Sequence, residues 1–135
     1  MRLLLDTHIF LALIGSGAAG LPATVAAKMK DEDAEVYLSA ASLWEIAIKW
    51  RLGKLRLTAG LDALPKLVSG LGVRSVPIDE RHALTAVDPE PATRDPFDRI
   101  LIAQAIAEGL PLLSSDRQVA AYPIRTVWKR RLRSQ

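Results

Sequence analysis

One stretch decides the fold of this chain: Asp95-Pro96-Phe97-Asp98-Arg99-Ile100-Leu101-Ile102-Ala103-Gln104-Ala105. Asp95 is a good N-cap, and proline at the next position fits the first helical residue, which needs no backbone donor. The helix from Phe97 to Ala107 is almost wholly apolar, and a helix that is apolar on all sides is normally buried. Asp98 interrupts this pattern in the first turn, where the helix dipole favours an anion. The stretch therefore predicts a buried central helix with a carboxylate at its N-terminus.

Short apolar runs alternate with helical segments along the rest of the chain. The runs that we interpret as strands are 3–5, 36–38, 73–78, 111–114 and, at one edge, 124–128. The other segments that we interpret as helices are 7–14, 22–33, 40–52, 61–69, 79–87 and a short one that follows Asp116 and ends near Tyr122. This alternation is typical of a parallel sheet with helices on both faces. We therefore predict an α/β fold with three layers, α/β/α, around a central, mainly parallel sheet of four to five short strands.

The bulk composition is that of one globular domain. The chain has 135 residues, of which 50% are hydrophobic and 24% charged, and it has no cysteine, which excludes disulfides and thiolate metal sites. The net charge of +3 is uneven, since no acid follows Asp116. We expect a single domain over 1–128 and a basic tail over 129–135, which is either solvated or in contact with nucleic acid. With no signal peptide and no apolar stretch of membrane length, we expect a cytoplasmic protein without a membrane partner.

Four acidic residues fall at corresponding places in the predicted fold. Asp6 follows the first strand, Glu45 lies early in the helix after the second strand, Asp98 opens the buried helix, and Asp116 follows the strand at 111–114. In a parallel α/β sheet, strand C-termini and helix N-termini share one edge, where ligands bind. Each acid alone is also explained as a helix cap, and Ser42 with Glu45 fits a capping box.

The four acids together predict more than caps. Carboxylates held within a few ångströms repel one another, and their ionised forms need a cation. A pocket of oxygen ligands without His or Cys selects Mg²⁺ or Mn²⁺. Such a site suits phosphoryl chemistry, in which the bound ion activates a water and stabilises the leaving oxygen.

Neighbouring residues leave alternatives open. Arg99 and Arg117 either hold a phosphate or pair with the acids. His8 lies beside the predicted pocket, and we interpret it as a polar residue of a first helical turn rather than as a base, because a metal-bound water supplies the nucleophile. The apolar stripe of the helix at 40–52 is either additional core or a protein contact; its residues are Trp44, Ile48 and Leu52.

Four segments together resemble the PIN domain, and within it the VapC-like toxins of bacterial and archaeal toxin–antitoxin pairs. These segments are 4–8, 38–49, 95–105 and 112–116. The resemblance implies a PIN-like fold and a metal-dependent endoribonuclease, with Mg²⁺, or Mn²⁺, as its cofactor. Carried over by position, the acidic quartet that binds metal and performs catalysis consists of Asp6, Glu45, Asp98 and Asp116.

The resemblance also implies supporting residues and partners. Thr7 and Ser115 would form hydrogen bonds within the site, and Asp95 would remain a cap or an outer group. The family commonly has endings such as Thr-Arg-Asp where this chain has Ser114-Ser115-Asp116, a difference that affects the supporting role and retains the acid. The implied partners are an RNA substrate, a small cognate antitoxin and a second copy of the chain.

Two other classes place acids at strand ends. A receiver-like regulatory module that binds Mg²⁺ without catalysis has an acidic pair after its first strand, whereas here Thr7 and His8 follow Asp6. A phosphatase of the haloacid-dehalogenase type has a second aspartate two residues after the first, at the position of His8. We rank both below the nuclease.

Overall fold

A computed structural model describes residues 2–16, 21, 23–87, 90–91, 93–114, 116 and 119. The strands are β1 (Arg2–Leu5), β2 (Glu35–Ser39), β3 (Val73–Val76) and β4 (Leu112–Leu113). The helices are α1 (Thr7–Ser16), α2 (Ala23–Lys30), α3 (Ala40–Arg51), α4 (Leu64–Gly70), α5 (Glu80–Leu84) and α6 (Pro96–Glu108), with a 3₁₀ turn at Leu61–Ala63 before α4. The predicted strand at 124–128 and the tail at 129–135 lie outside the described residues, as does the predicted helix before them, apart from Val119.

The sheet of the described residues has the order β3-β2-β1-β4, and every pair is parallel. Leu5 at the end of β1 lies opposite Leu38 in β2 and Leu113 in β4. The three strands therefore end at one level. The chain runs from β1 to β2 on one side and β4 lies on the other, so the β1–β4 junction is the switch point where ligands of such sheets bind.

Side chains of the sheet alternate between two apolar cores. Leu3 and Leu5 pack in a cluster with residues of α1, α3 and α4, whereas Leu4 packs with Ile102 and Ala105 of α6. Alternation with a period of two is the expected consequence of a pleated strand. The two cores confirm the predicted three-layer α/β/α fold. None of the helices in the described part of the chain is long and apolar enough to cross a lipid bilayer.

The helix α6 has the caps that its sequence predicts. The Asp95 carboxylate accepts a hydrogen bond from the Phe97 N–H at 2.9 Å, and Pro96 occupies the first turn. Gly109 ends the helix with a φ of 65°, a left-handed conformation that favours glycine. Residues Leu101 to Ala105 are buried, which confirms the predicted central helix.

Two elements end earlier than predicted. The strand predicted at 73–78 ends at Val76, because Pro77 has no N–H to continue the ladder. The helix predicted to reach Val87 ends at Leu84, and the following Thr85 has extended backbone dihedrals, which suit its β-branched side chain.

The C-terminal end of α6 is tied to α5 by a buried histidine. His82 Nδ1 accepts a hydrogen bond from the Asp79 N–H at 3.1 Å, so Nε2 carries the proton and donates to Glu108 Oε1 at 2.8 Å. The hydrogen bond from His82 holds the pKa of Glu108 below its usual value. This network lies at the opposite end of α6 from Asp98, so His82 has a structural role.

Candidate active site

Asp6 is held at the end of β1 by hydrogen bonds of both its backbone and its carboxylate. Its backbone N–H donates to the Leu113 carbonyl at 2.9 Å, which continues the pairing of β1 with β4. One carboxylate oxygen accepts the His8 N–H at 2.8 Å, and the other accepts the Ser114 hydroxyl at 2.6 Å. The residue is buried. Asp6 therefore caps α1, and its carboxylate is also fixed at the switch point of the sheet.

Ser114 connects this carboxylate to the next acid. Its hydroxyl oxygen accepts the Asp116 N–H at 3.1 Å while the hydroxyl donates to Asp6. An Asp116 carboxylate oxygen accepts the Val119 N–H at 3.3 Å. A supporting serine was predicted at position 115, which lies outside the described residues. The hydroxyl that supports the acids here is that of Ser114.

Asp98 lies in the first turn of α6 and is half-buried. The Thr93 hydroxyl donates a hydrogen bond to Asp98 Oδ2 at 3.0 Å. The pKa of Asp98 is raised to about 6, mainly by burial; the hydrogen bond from Thr93 opposes the rise, and the charges of Asp95, Asp6 and Asp116 add to it. Asp6, Asp98 and Asp116 are thus near enough for their charges to repel one another.

Glu45 is buried on α3 and is paired with a lysine on the same helix. Lys49 Nζ lies 2.6 Å from Glu45 Oε2, at the i,i+4 spacing. The pKa of Lys49 is raised mainly by this hydrogen bond, and the carboxylates of Asp95 and Asp98 also raise it. Lys49 therefore contacts Glu45 directly, whereas Asp95 and Asp98 act on its charge from longer range. We call the region of Asp6, Glu45, Asp98 and Asp116 the acidic crevice.

The capping-box alternative for Glu45 is wrong. The N-cap of α3 is Ser39, whose hydroxyl accepts the Ala41 N–H at 3.0 Å. Ser42, the proposed cap, accepts a hydrogen bond from the Thr7 hydroxyl at 2.8 Å, with both side chains buried. Thr7 thus joins the start of α1 to α3 beneath the crevice.

The donor set of the acidic crevice suits a hard divalent cation. It consists of carboxylate and hydroxyl oxygens, which are the ligands that Mg²⁺ and Mn²⁺ prefer. Among the residues that the structure describes, no three acidic or histidine side chains are close enough to hold one ion as they stand. Lys49 contributes a positive charge beside Glu45. The chemistry of these oxygen donors therefore fits a divalent cation.

Four predicted neighbours remain, of which the structure describes Arg99 and His8. Arg99 forms an ion pair with Glu90 and not with an acid of the crevice. The His8 side chain is exposed, while its backbone N–H donates a hydrogen bond to the Asp6 carboxylate. Arg117 lies outside the described residues, together with Ser115.

Two aromatic rings stand beside the acids. Trp44 precedes Glu45 and Phe97 precedes Asp98, and the two rings meet edge to face with centroids 5.5 Å apart. Trp44 is 62% exposed and Leu52 is 63% exposed. The stripe of Trp44, Ile48 and Leu52 was predicted to be either additional core or a protein contact. The core alternative is wrong for Trp44 and Leu52, because both are exposed. The protein contact stays a prediction.

Three supporting side chains were not singled out from the sequence: Lys49, Thr93 and Ser114. The Glu45–Lys49 spacing was visible, since oppositely charged residues four apart meet on a helix. Thr93 and Ser114 each lie two residues before an aspartate, a pattern in which a hydroxyl oxygen accepts the aspartate N–H.

The PIN domain family model matches residues 3–124. Fifteen chains of solved structures also match this chain. One is a chain of VapBC2 from Rickettsia felis, in a crystal structure with a DNA fragment from their promoter. It has a TM-score of 0.65 and 15% sequence identity, and the match covers 93% of this chain and 96% of that one. No curated protein gives a significant match.

The family match and the structural similarity agree with the geometry of the crevice. The similar structure shares the fold with this chain, and the family match extends across most of its length. PIN domains are generally nucleases, and those nucleases generally use divalent metal ions. With acids gathered where the parallel strands end, this chain belongs to the PIN domain family.

Proposed function

We propose that the chain is a metal-dependent endoribonuclease that cleaves RNA phosphodiester bonds and acts as the toxin of a toxin–antitoxin pair. The observation that carries this proposal is that the Ser114 hydroxyl contacts both the Asp6 carboxylate and the Asp116 N–H directly after β4, with the charge of Asp98 coupled to both acids. Carboxylates held close together repel one another, and a bound cation would stabilise their ionised forms. When bound, Mg²⁺ or Mn²⁺ supplies Lewis-acid activation of water and of the phosphodiester.

Each acid has a distinct role in this proposal. Asp6 is the most rigid, because both of its carboxylate oxygens accept hydrogen bonds. Asp98 is oriented by Thr93 and ionises above about pH 6, so its carboxylate is available to a metal at neutral pH. Asp116 is placed by its backbone contact with Ser114. Glu45 is the most adjustable, because its partner is a flexible lysine side chain.

The substrate that we propose is single-stranded RNA. The exposed Trp44 ring with Phe97 beside it offers a stacking surface next to the acids. Aromatic stacking of unpaired bases is the common way in which proteins bind single strands. A phosphodiester next to a stacked base would then reach the acidic crevice.

We also propose the partners that the family resemblance implies, namely a small cognate antitoxin and a second copy of the chain. The structure of VapBC2 supports the first of these, since that relative is recorded as a complex. A cytoplasmic location stays a prediction. No observation in the described part of the chain favours the receiver-like module, because Asp6 is followed by a buried Thr7 bonded to Ser42 and by the exposed His8.

The nuclease proposal predicts metal-dependent RNA cleavage by the purified chain. Asp98→Asn should reduce the cleavage rate on the order of a hundredfold or more, because the amide lacks the charge that holds the metal. Gel assays on single-stranded RNA with Mg²⁺, Mn²⁺ or excess EDTA measure this. Asp62→Asn, an exposed acid outside the crevice, is the control and should keep full activity. Full cleavage in EDTA, or by Asp98→Asn, contradicts the proposal.

The raised pKa of Asp98 predicts a pH-dependent effect on stability in the absence of metal. Between the usual aspartate pKa and about 6, the folded chain binds a proton that the unfolded chain has lost, so the free energy of unfolding falls as pH rises. Asp98→Asn has no carboxyl group at this position, so its free energy of unfolding lacks this fall with pH. Its stability relative to the original chain should therefore be greater at pH 7.5 than at pH 4.5.

Urea unfolding in EDTA at the two pH values measures this difference, and other titrating groups cancel in the comparison. A relative stability that does not change with pH contradicts a raised pKa at Asp98.

The stacking surface predicts a role for Trp44 in substrate binding. Trp44→Ala should raise KM for single-stranded RNA on the order of tenfold, since one base–aromatic stack is worth about 1–3 kcal/mol. Trp50→Ala, on the same helix, is the matched control and should leave KM unchanged. Equal KM values for the two variants, measured with both folded by circular dichroism, would remove Trp44 from the substrate surface.

The toxin proposal predicts growth arrest when the chain is produced in a bacterium. Asp98→Asn should restore colony formation at equal protein level, because the arrest depends on RNA cleavage. Co-expression of a small protein encoded beside this chain should also restore it. Arrest that persists with Asp98→Asn, or normal growth with the active chain, counts against a toxin.

A further inference from the structure

Lys49 forms the shortest contact of the acidic crevice with a basic group. Its ammonium lies 2.6 Å from Glu45 Oε2, and the Glu45 side chain is only 5% exposed while that of Lys49 is 39% exposed. An exposed i,i+4 pair contributes little, but a buried carboxylate left without its partner is costly. The lysine therefore holds Glu45 in place from the solvent side.

The same ammonium also interacts with the other side of the crevice. The carboxylates of Asp95 and Asp98 both favour its charged form. Lys49 is thus a cation with one direct acidic partner, Glu45, and with Asp95 and Asp98 at longer range.

An ammonium and a divalent cation cannot both lie close to Glu45 without strong repulsion. Two like charges held a few ångströms apart near a protein surface repel each other strongly, and a divalent ion doubles the effect. Lysine is suited to leave, because its charge is on a flexible four-carbon stem that can extend into water. Binding of metal to Glu45 then requires the Lys49 contact to break.

We propose that Lys49 is a built-in counter-ion of Glu45, which a divalent cation has to displace, so that this lysine sets the metal affinity of the crevice. Lys49 is a positioning residue, since it acts through Glu45. In the absence of metal it neutralises the buried carboxylate, and in its presence Glu45 is released toward Asp98. The inference rests on the metal-binding part of the proposed function and is independent of the RNA substrate.

The first test measures Mn²⁺ binding by titration calorimetry without RNA. Lys49→Met keeps the length of the stem and removes the charge, and it should bind Mn²⁺ on the order of tenfold more tightly, a typical coupling between two ligands of one site. Lys49→Arg should restore an affinity close to that of the original chain. The control is Arg51→Met, which removes a charge from the same last turn of α3 and should change the affinity less than twofold.

The second test uses the original chain and so does not depend on the folding of a variant. Acetylation of lysines at pH 8, followed by mass spectrometry, should modify Lys49 several-fold faster with bound Mn²⁺ than in EDTA, because the ammonium leaves the carboxylate. Lys54 and Lys66 serve as internal references. Unchanged or slower labelling of Lys49, or equal Mn²⁺ affinity for Lys49→Met and Arg51→Met, overturns the inference.

The two proposals fail in different ways. If the original chain binds no Mn²⁺, or binds it equally well with Asp98→Asn, the metal-dependent nuclease fails. If Mn²⁺ binding needs Asp98, but Lys49→Met leaves the Mn²⁺ affinity unchanged and Mn²⁺ leaves the acetylation rate of Lys49 unchanged, only the role of Lys49 fails.

Discussion

The register of the parallel sheet is the constraint on which the candidate site depends. Leu5 lies opposite both Leu38 and Leu113, so three strands stop at one level. Acids from four separate parts of the chain reach that edge. A slip of one residue in either pairing would turn the side chains to the other face. Backbone pairing over long sequence distances, and not a local motif, assembles the acidic crevice.

The acids of the crevice repel one another, and other groups of the fold offset this repulsion. Asp98 lies at the N-terminus of α6, where the helix dipole favours a negative charge. The hydroxyl groups of Thr93 and Ser114 donate hydrogen bonds to Asp98 and Asp6. Lys49 forms an ion pair with Glu45. Proteins commonly tolerate such local cost at functional sites while other contacts maintain the fold. The supporting side chains are therefore as much a part of the site as the acids.

Much of the fold follows from local signals in the sequence. The cap of α6 was predicted from Asp95 and Pro96, because these residue types have strong positional preferences at helix starts. The predicted ends of β3 and α5 were too long, because apolar residues beyond them suggested a continuation that Pro77 and the extended backbone of Thr85 prevent.

Less of the site could be predicted, because contacts between side chains depend on directions that spacing does not fix. The gathering of Asp6, Asp98 and Asp116 was predicted from the shared edge of the sheet. The capping box at Glu45 was wrong, because the helix begins at Ser39 and the Glu45 carboxylate turns to Lys49 instead. The assignment of these acids to metal binding came from the family resemblance and stays a prediction.

The buried histidine at the far end of α6 has a consequence for the acids. Glu108, the last residue of the helix, is bonded to His82 and to Arg81, roughly 15 Å along the axis from Asp98 in the first turn. A helix anchored in this way cannot slide along its axis to let Asp98 retreat from its neighbours. The remote anchor thus fixes the position of α6 along its axis, and an event that loosens it would reach the crevice through the helix without touching any of the four acids there.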